Sequence, residues 1–306
     1  NQSILGDWSF FQPEDNVVTV LEGMRMIAED TEIVYSNSGR IKSKLSHDKT
    51  NTTDPALQKK MLAEGGGISD YSIMDAVNKA KGCDLVVVVI GGYGIRSDWG
   101  LRTYGESADR PSIDFYGRQV ELVKALQKTG KPVVAIIVNG KPLNNEWISE
   151  NVPAIVDMWE PGMYGGQAVA EILFGKVNPS GKLPITVPKH AGQVPMYYYQ
   201  AASRWTGYGL GSSRADDKPA YCFGHGLSYT TFEYSDLKVD SLFLPGQDVV
   251  VSFKIKNVGN MVGKEVPLLF INDEVSSVVT PMNLLKGFEK IQLKPGEEKI
   301  VEMVIP

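Results

Sequence analysis

Leu85-Val86-Val87-Val88-Val89-Ile90 is the stretch on which the fold turns. A strand with one wet face alternates apolar and polar residues. This one is apolar throughout, the pattern of a central parallel strand covered on both faces. Pro132-Val133-Val134-Ala135-Ile136-Ile137-Val138 repeats the pattern, and Ala154-Ile155-Val156-Asp157-Met158-Trp159 reads as a third buried strand. Helical periodicity fills the intervals. Residues 69–81 start at Ser69 or Asp70 as a cap and place Ile73, Ala76, Val77 and Ala80 on one stripe. Residues 116–128 do the same with Val120, Val123 and Leu126, with Leu122 beside them and Gly130 as the stop. Residues 166–174 bury Ala168, Val169, Ile172 and Leu173 ahead of Gly175. Glu32-Ile33-Val34-Tyr35 is a further short strand candidate, and residues 43–67 read as a polar, turn-rich surface loop with room for one short helix. Strand, helix and strand joined by short connections define a parallel α/β sheet with right-handed crossovers.

The character changes after about Pro188. Residues 193–221 are aromatic and loop-like. From Phe232 onward strands alternate: Val249, Val251, Phe253 and Ile255 face one way, and Val250, Ser252, Lys254 and Lys256 the other. Turns at Asn257-Val258-Gly259-Asn260 and Pro295-Gly296-Glu297 complete the signature of a β-sandwich. The expected organisation is an α/β domain over residues 1–210, a linker over 211–231 and a β-sandwich over 232–306. A sandwich of this kind takes about 100 residues. Residues 232–306 supply about 75, so the last strand or two is expected to be missing. The chain starts at Asn1 without a Met or a leader-like segment and stops at Pro306 after a strand-like stretch, so both ends read as cuts in something longer.

Composition excludes several functions. The 306 residues carry 31 basic and 36 acidic side chains, a net charge of −5, which argues against a nucleic-acid surface. No apolar run approaches the roughly 20 residues of a membrane helix. Cys83 and Cys222 fit no metal spacing and read as unpaired thiols. His47, His190 and His225 are too scattered for a His-rich metal site, and no GxSxG elbow is present. Gly91-Gly92-Tyr93-Gly94 follows a strand, but it is no GxGxxG and no helix opens after it, so a dinucleotide is not expected.

Ligands of open parallel sheets bind beyond the carboxyl ends of the strands. There, residues 91–110 form a loop of about twenty residues, far longer than a compact α/β connection requires. It carries Arg96, Arg102 and Arg110, Tyr93 and Tyr104, Trp99, and the carboxylates Asp98, Glu106 and Asp109. Aromatic planes stack on sugar rings, and carboxylates and guanidinium groups hydrogen-bond hydroxyls, so the loop suits a carbohydrate. Its alternative is a solvated loop with internal ion pairs.

Five stretches make the sequence recognisable: Gly105-Glu106-Ser107-Ala108-Asp109-Arg110; Val138-Asn139-Gly140-Lys141-Pro142-Leu143; Trp159-Glu160-Pro161-Gly162-Met163-Tyr164-Gly165-Gly166-Gln167-Ala168, running on to Leu173-Phe174-Gly175-Lys176-Val177-Asn178-Pro179-Ser180-Gly181-Lys182-Leu183-Pro184; Phe223-Gly224-His225-Gly226-Leu227-Ser228-Tyr229-Thr230-Thr231-Phe232; and Leu285-Lys286-Gly287-Phe288-Glu289-Lys290. In this order they resemble the C-terminal part of glycoside hydrolase family 3, the β-glucosidase and β-xylosidase family. The resemblance implies a parallel-sheet α/β sandwich domain followed by a fibronectin type III-like β-sandwich, with the family's N-terminal (β/α)₈ barrel outside this chain.

It also implies a role for each part. Retaining glycosidases use two carboxyl groups about 5–5.5 Å apart, one attacking the anomeric carbon and one protonating the leaving oxygen. The family's acid/base glutamate maps onto Glu106, with Asp109 as runner-up and a local ion pair of Glu106 with Arg102 or Arg110 as the competing reading. The nucleophilic aspartate belongs to the barrel. Ser97-Asp98-Trp99 resembles its motif but lies mid-loop, so it is read as coincidence. Arg96, Trp99, Arg102 and Tyr104 are the expected sugar contacts. No metal, nucleotide or other cofactor is expected. The expected partners are a β-linked oligosaccharide or aryl glycoside and the barrel domain, with no nucleic acid and no membrane. The family leans towards an exported protein. His190 and His225 are read as structural, and Tyr197, Tyr198, Tyr199 and Trp205 as packing more than sugar contacts. The alternative is a stand-alone, non-catalytic carbohydrate-binding or scaffold module.

Overall fold

A computed structural model of the chain describes residues 2–10, 12–37, 68–94, 102–106, 108, 110–201 and 218–306. It divides into two compact units, one of Asn1–Phe174 with Pro188–Val194 and one of Gly175–Val187 with Pro195–Pro306. Packing thus places the Asn-Pro-Ser-Gly-Lys-Leu-Pro run, residues 178–184, with the second unit.

The first unit is built on a parallel sheet of β1 (Val86–Gly91), β2 (Val133–Val138) and β3 (Ala154–Asp157), in the order β1-β2-β3. Val88 stands opposite Ala135, and Ala135 opposite Ile155. The central strand is therefore β2. This corrects the expectation for residues 85–90: among the described residues β1 is an edge, with Leu85 50 % and Val89 49 % exposed. Strand alternation sorts β2 between two cores. Val133, Ala135 and Ile137 face one cluster with Ala76, Leu122, Val123 and Ile148. Ile136 and Val138 face the other, with Ile4, Val17, Val20 and Val169.

The helices follow from their caps. Thr19 starts α1 (Val20–Ile27) with a capping box: the Glu22 amide donates to its hydroxyl oxygen, and its own amide and hydroxyl donate to the Glu22 carboxylate. Ser69, not Asp70, caps α2 (Asp70–Lys81), which buries Ala76 and Ala80 of the expected stripe. The helix α3 (Gln119–Gln127) buries Leu122, Val123 and Leu126, and Gly130 ends the following turn at φ +77°. Asn145 caps the short α4 (Glu146–Asn151), and α5 (Gly165–Leu173) ends ahead of Gly175 at φ +69°. Residues 31–37 form no strand, and Val34 and Tyr35 are about half exposed; β-branched content alone does not make a strand without a partner edge.

The second unit is antiparallel. β4 (Phe232–Lys238), β5 (Val249–Asn257) and β10 (Glu298–Ile305) form a sheet in the order β10-β5-β4. Two ladders accompany it, β6 (Gly263–Glu265) with β9 (Ile291–Leu293) and β7 (Leu268–Ile271) with β8 (Leu284–Phe288). Val251 and Ile255 point inward as the alternation predicts, over a core of Ile255, Ile291, Leu293, Val301 and Met303. Among the described residues no helix is long and apolar enough to cross a membrane.

Candidate active site

The loop after β1 begins at the carboxyl edge of the sheet, and its returning segment is clipped there twice. The Thr103 amide donates to the Tyr93 carbonyl at 2.7 Å, and the Tyr93 amide donates to the Thr103 hydroxyl at 2.8 Å. Thr103 is buried, so both bonds are sheltered from water. Tyr104 follows at 3 % exposure. Its ring lies against the backbones of Gly92 and Gly140, at the ends of β1 and β2: a Cβ on either would fall 2.5 Å or 2.4 Å from a ring carbon. Glycine is required at both places by this close approach. The Tyr104 hydroxyl donates to Oε1 of Glu160 at 2.7 Å. Burial, that hydrogen bond and the charges of Glu160 and Asp7 push the phenol far above its ordinary pKa, so it remains a donor.

Glu160 stands on a turn that the end of β3 holds in place. Trp159 adopts φ +53°, a left-handed conformation that a tryptophan occupies only under constraint. The constraint is visible: its amide donates to the Asp157 carboxylate, its carbonyl accepts from the Asn139 amide at 3.3 Å, and Gly162, at φ +88°, donates to the Ile4 carbonyl at 2.8 Å. Burial pushes the Asp157 carboxyl up to about 6, against the lowering effect of the Trp159 amide and the Asn139 side chain. Asp7, Trp8, Tyr104, Gly105, Gly140 and Glu160 line a pocket of about 410 Å³ at this edge. Trp8 is 78 % exposed, an aromatic face open to a ring-shaped ligand.

After Tyr104 the chain turns at Gly105, φ +98°, and presents Glu106 to solvent. Arg102, four residues earlier, is half-buried. Arg110 is directed elsewhere: it donates to the Asp114 carbonyl at 2.5 Å and lies 5.1 Å from the Tyr116 ring centre. Of the expected sugar contacts, Arg96 and Trp99 lie outside the described residues, as do Ser97, Asp98, Asp109 and Trp205. Tyr104 lines the pocket wall, its hydroxyl engaged by Glu160.

His225 packs on Tyr221 at 5.2 Å in a turn of the second unit, its imidazole held below its ordinary pKa by burial and by Lys182; His190 precedes a 3₁₀ turn. Tyr198 stacks on Phe223 at 4.3 Å within the second unit. Asp7 and Glu160 were missed by sequence reasoning. The sequence signals for Glu160 are its place at the carboxyl end of a predicted strand and in the Trp159–Ala168 stretch of the resemblance, neither of which marks it as a site residue. Asp7 offered none.

The fold defines the class, a parallel-sheet α/β domain followed by an antiparallel β unit, with a long carboxylate-bearing loop at the sheet's carboxyl edge. Known proteins narrow it. The glycosyl hydrolase family 3 C-terminal domain matches residues 1–229, and the fibronectin type III-like domain matches residues 265–306. The β-xylosidase of Formosa agariphila is 42 % identical over 244 residues, covering 78 % of this chain and 33 % of that protein. The periplasmic β-glucosidase of Salmonella typhimurium is 34 % identical over 319 residues, covering 99 % of this chain and 40 % of its own length. The crystal structure of the Listeria innocua β-glucosidase with glucose superposes with a TM-score of 0.80 at 28 % identity, over 99 % of this chain and 39 % of that one. The chain belongs to glycosyl hydrolase family 3 and spans between 33 % and 40 % of these relatives' length.

Proposed function

We propose that this chain is the part of a retaining β-glycosidase that supplies the general acid/base, Glu106, for hydrolysis of non-reducing-end β-linked sugars. The supporting observation is the placement of Glu106: it follows a segment clipped to the sheet edge at Thr103 and Tyr104, and it is itself exposed to solvent. The nucleophile is an aspartate of a (β/α)₈ barrel domain outside this chain. As the barrel carboxylate bonds to the anomeric carbon, the Glu106 carboxyl gives its proton to the glycosidic oxygen, and the aglycone leaves as a neutral alcohol. Glu106, now a carboxylate, takes a proton from the water that hydrolyses the glycosyl-enzyme. Both the xylosidase and glucosidase names among the relatives are compatible with this chemistry, and the β-glycoside and the barrel are the expected partners.

The test is made on this chain joined to its barrel domain. Aryl β-glucosides and β-xylosides are turned over; Glu106→Gln loses at least about a hundredfold in kcat, the scale of general acid–base catalysis; and azide restores turnover of activated substrates. Unchanged turnover in Glu106→Gln removes the assignment. Sugar binding without turnover by the joined protein supports the non-catalytic module instead.

A further inference from the structure

We infer that Tyr104 and Glu160 are positioning residues, whose hydrogen bond holds the Glu106 loop in its proton-donating geometry. The inference rests on the acid/base reading of Glu106 and extends it to two residues that do not touch the reacting atoms.

The geometry is specific. Glu106 is exposed, so its position depends on the backbone behind it. That backbone is fixed at Thr103 by the two bonds to Tyr93 and at Tyr104 by the ring and the hydroxyl. The ring fills a slot whose walls are glycine backbone from two strand ends, at Gly92 and Gly140, and Gly94 of the loop itself would meet it at 2.9 Å if it carried a Cβ. The slot sets where the ring lies. The bond to Glu160, 56 residues further along the chain, fixes it along its long axis and ties the loop to the turn after β3. Only Gly105 separates this anchor from Glu106. A glycine hinge next to an acid is permissive by itself, so the tie immediately before it has to supply the order.

General acid catalysis is sensitive to such order, because a misplacement of about 1 Å can cost about a hundredfold. The effect depends on the leaving group. An alkyl aglycone must be protonated as it departs, whereas 2,4-dinitrophenolate leaves without help. Mispositioning of Glu106 therefore shows on the first substrate and not on the second.

The experiment compares Tyr104→Phe, Glu160→Ala, Glu160→Gln and Glu106→Gln in the barrel-containing protein, using an alkyl β-glycoside and a 2,4-dinitrophenyl β-glycoside of the same sugar. Tyr104→Phe keeps the ring in its slot and loses only the bond. It is expected to lose about 10- to 100-fold in kcat/KM on the alkyl substrate and less than about threefold on the dinitrophenyl one. Glu160→Ala loses at least as much on the alkyl substrate, since it removes the same bond together with the other contacts of Glu160, and the double variant Tyr104→Phe/Glu160→Ala loses no more than the larger single loss, as one shared bond requires. Glu160→Gln keeps an acceptor oxygen and recovers most of the alkyl activity. Equal losses on both substrates, no loss on either, or additive losses in the double variant overturn the positioning role. Glu106→Gln separates the layers: if it shows the leaving-group-dependent loss and Tyr104→Phe does not, positioning alone falls. If Glu106→Gln itself shows none, the acid/base reading falls with it.

Discussion

Gly23 of α1 and Gly166 of α5 meet backbone to backbone: a Cβ on Gly23 would lie 2.3 Å from the Gly166 carbonyl oxygen, and one on Gly166 2.2 Å from the Thr19 carbonyl carbon. The crossing is sealed by the Val18 amide donating to Met163 and the Gly166 amide donating to Val18. Two effects oppose each other in Gly23→Ala. Alanine favours the helix by about 1 kcal/mol over glycine. Overpacking against atoms that cannot rotate away costs about 1–3 kcal/mol, and here those atoms are backbone. Packing wins, and Gly23→Ala is expected to lower the thermal midpoint. A raised midpoint would show that the two helices can separate without loss.

How much of this was legible follows from particular residues. The parallel sheet could be read because Val133 to Val138 must satisfy two cores at once, which leaves no room for polar residues. Which strand is central could not be read, because residues 85–90 and 133–138 carry the same pattern and only the neighbours differ. The start of α1 is legible only in the capping-box spacing of Thr19 and Glu22, a local signal that hydrophobic periodicity does not report. The loop around Glu106 announced itself by length. The Tyr104–Glu160 bond did not, since a contact across 56 residues leaves no local periodicity to detect.

Asp157 offers a test by pH. Its folded pKa is about 6 against an ordinary 3.8, raised by burial. Between those values the folded chain binds more protons than the unfolded one, so stability falls as pH rises through the window and the penalty is complete above about 6. Asp157→Asn removes the ionisation. Relative to the parent, its stability is expected to improve on going from pH 4 to pH 7.5, by an amount on the order of 1–3 kcal/mol. Urea unfolding at the two pH values measures it; a difference between variant and parent that is the same at both would show that the carboxyl titrates normally.

In the second unit, Asn257 is fully buried and serves four neighbours. Its Oδ1 accepts from the Thr230 hydroxyl at 2.6 Å and the Gly259 amide at 3.1 Å, and its Nδ2 donates to the Met261 and Leu293 carbonyls at 2.8 and 3.1 Å. The sequence marked this position as a turn, but its side chain also joins β5 to β9. Asn257→Ala leaves several buried polar groups unpaired, each worth about 1–3 kcal/mol. A loss on the order of 3 kcal/mol is expected, read as earlier loss of amide-exchange protection at Ile255 and Leu293. Unchanged protection there would mean that water replaces the side chain.

Lys182 and Glu265 form an ion pair at 2.8 Å with side chains only 19 % and 11 % exposed. Lys182 also donates to the Gly226 carbonyl at 3.0 Å, and the Val266 amide donates to the Glu265 carboxylate at 2.8 Å. A pair this sheltered is weak evidence of net stabilisation, because desolvation opposes the attraction; removing one partner is worse than removing both. Glu265→Leu strands an ammonium group among Val251, Phe253 and Leu268, which share its pocket of about 600 Å³. It is expected to destabilise the unit by about 2–4 kcal/mol. Lys182→Met on the same background should return at least half of that loss, since no charge then remains to be solvated. Chemical denaturation of the two single variants and the double variant closes the cycle. If the double variant is as unstable as the sum of the singles, the two side chains act independently, and the Gly226 and Val266 bonds, not the ion pair, hold this corner together.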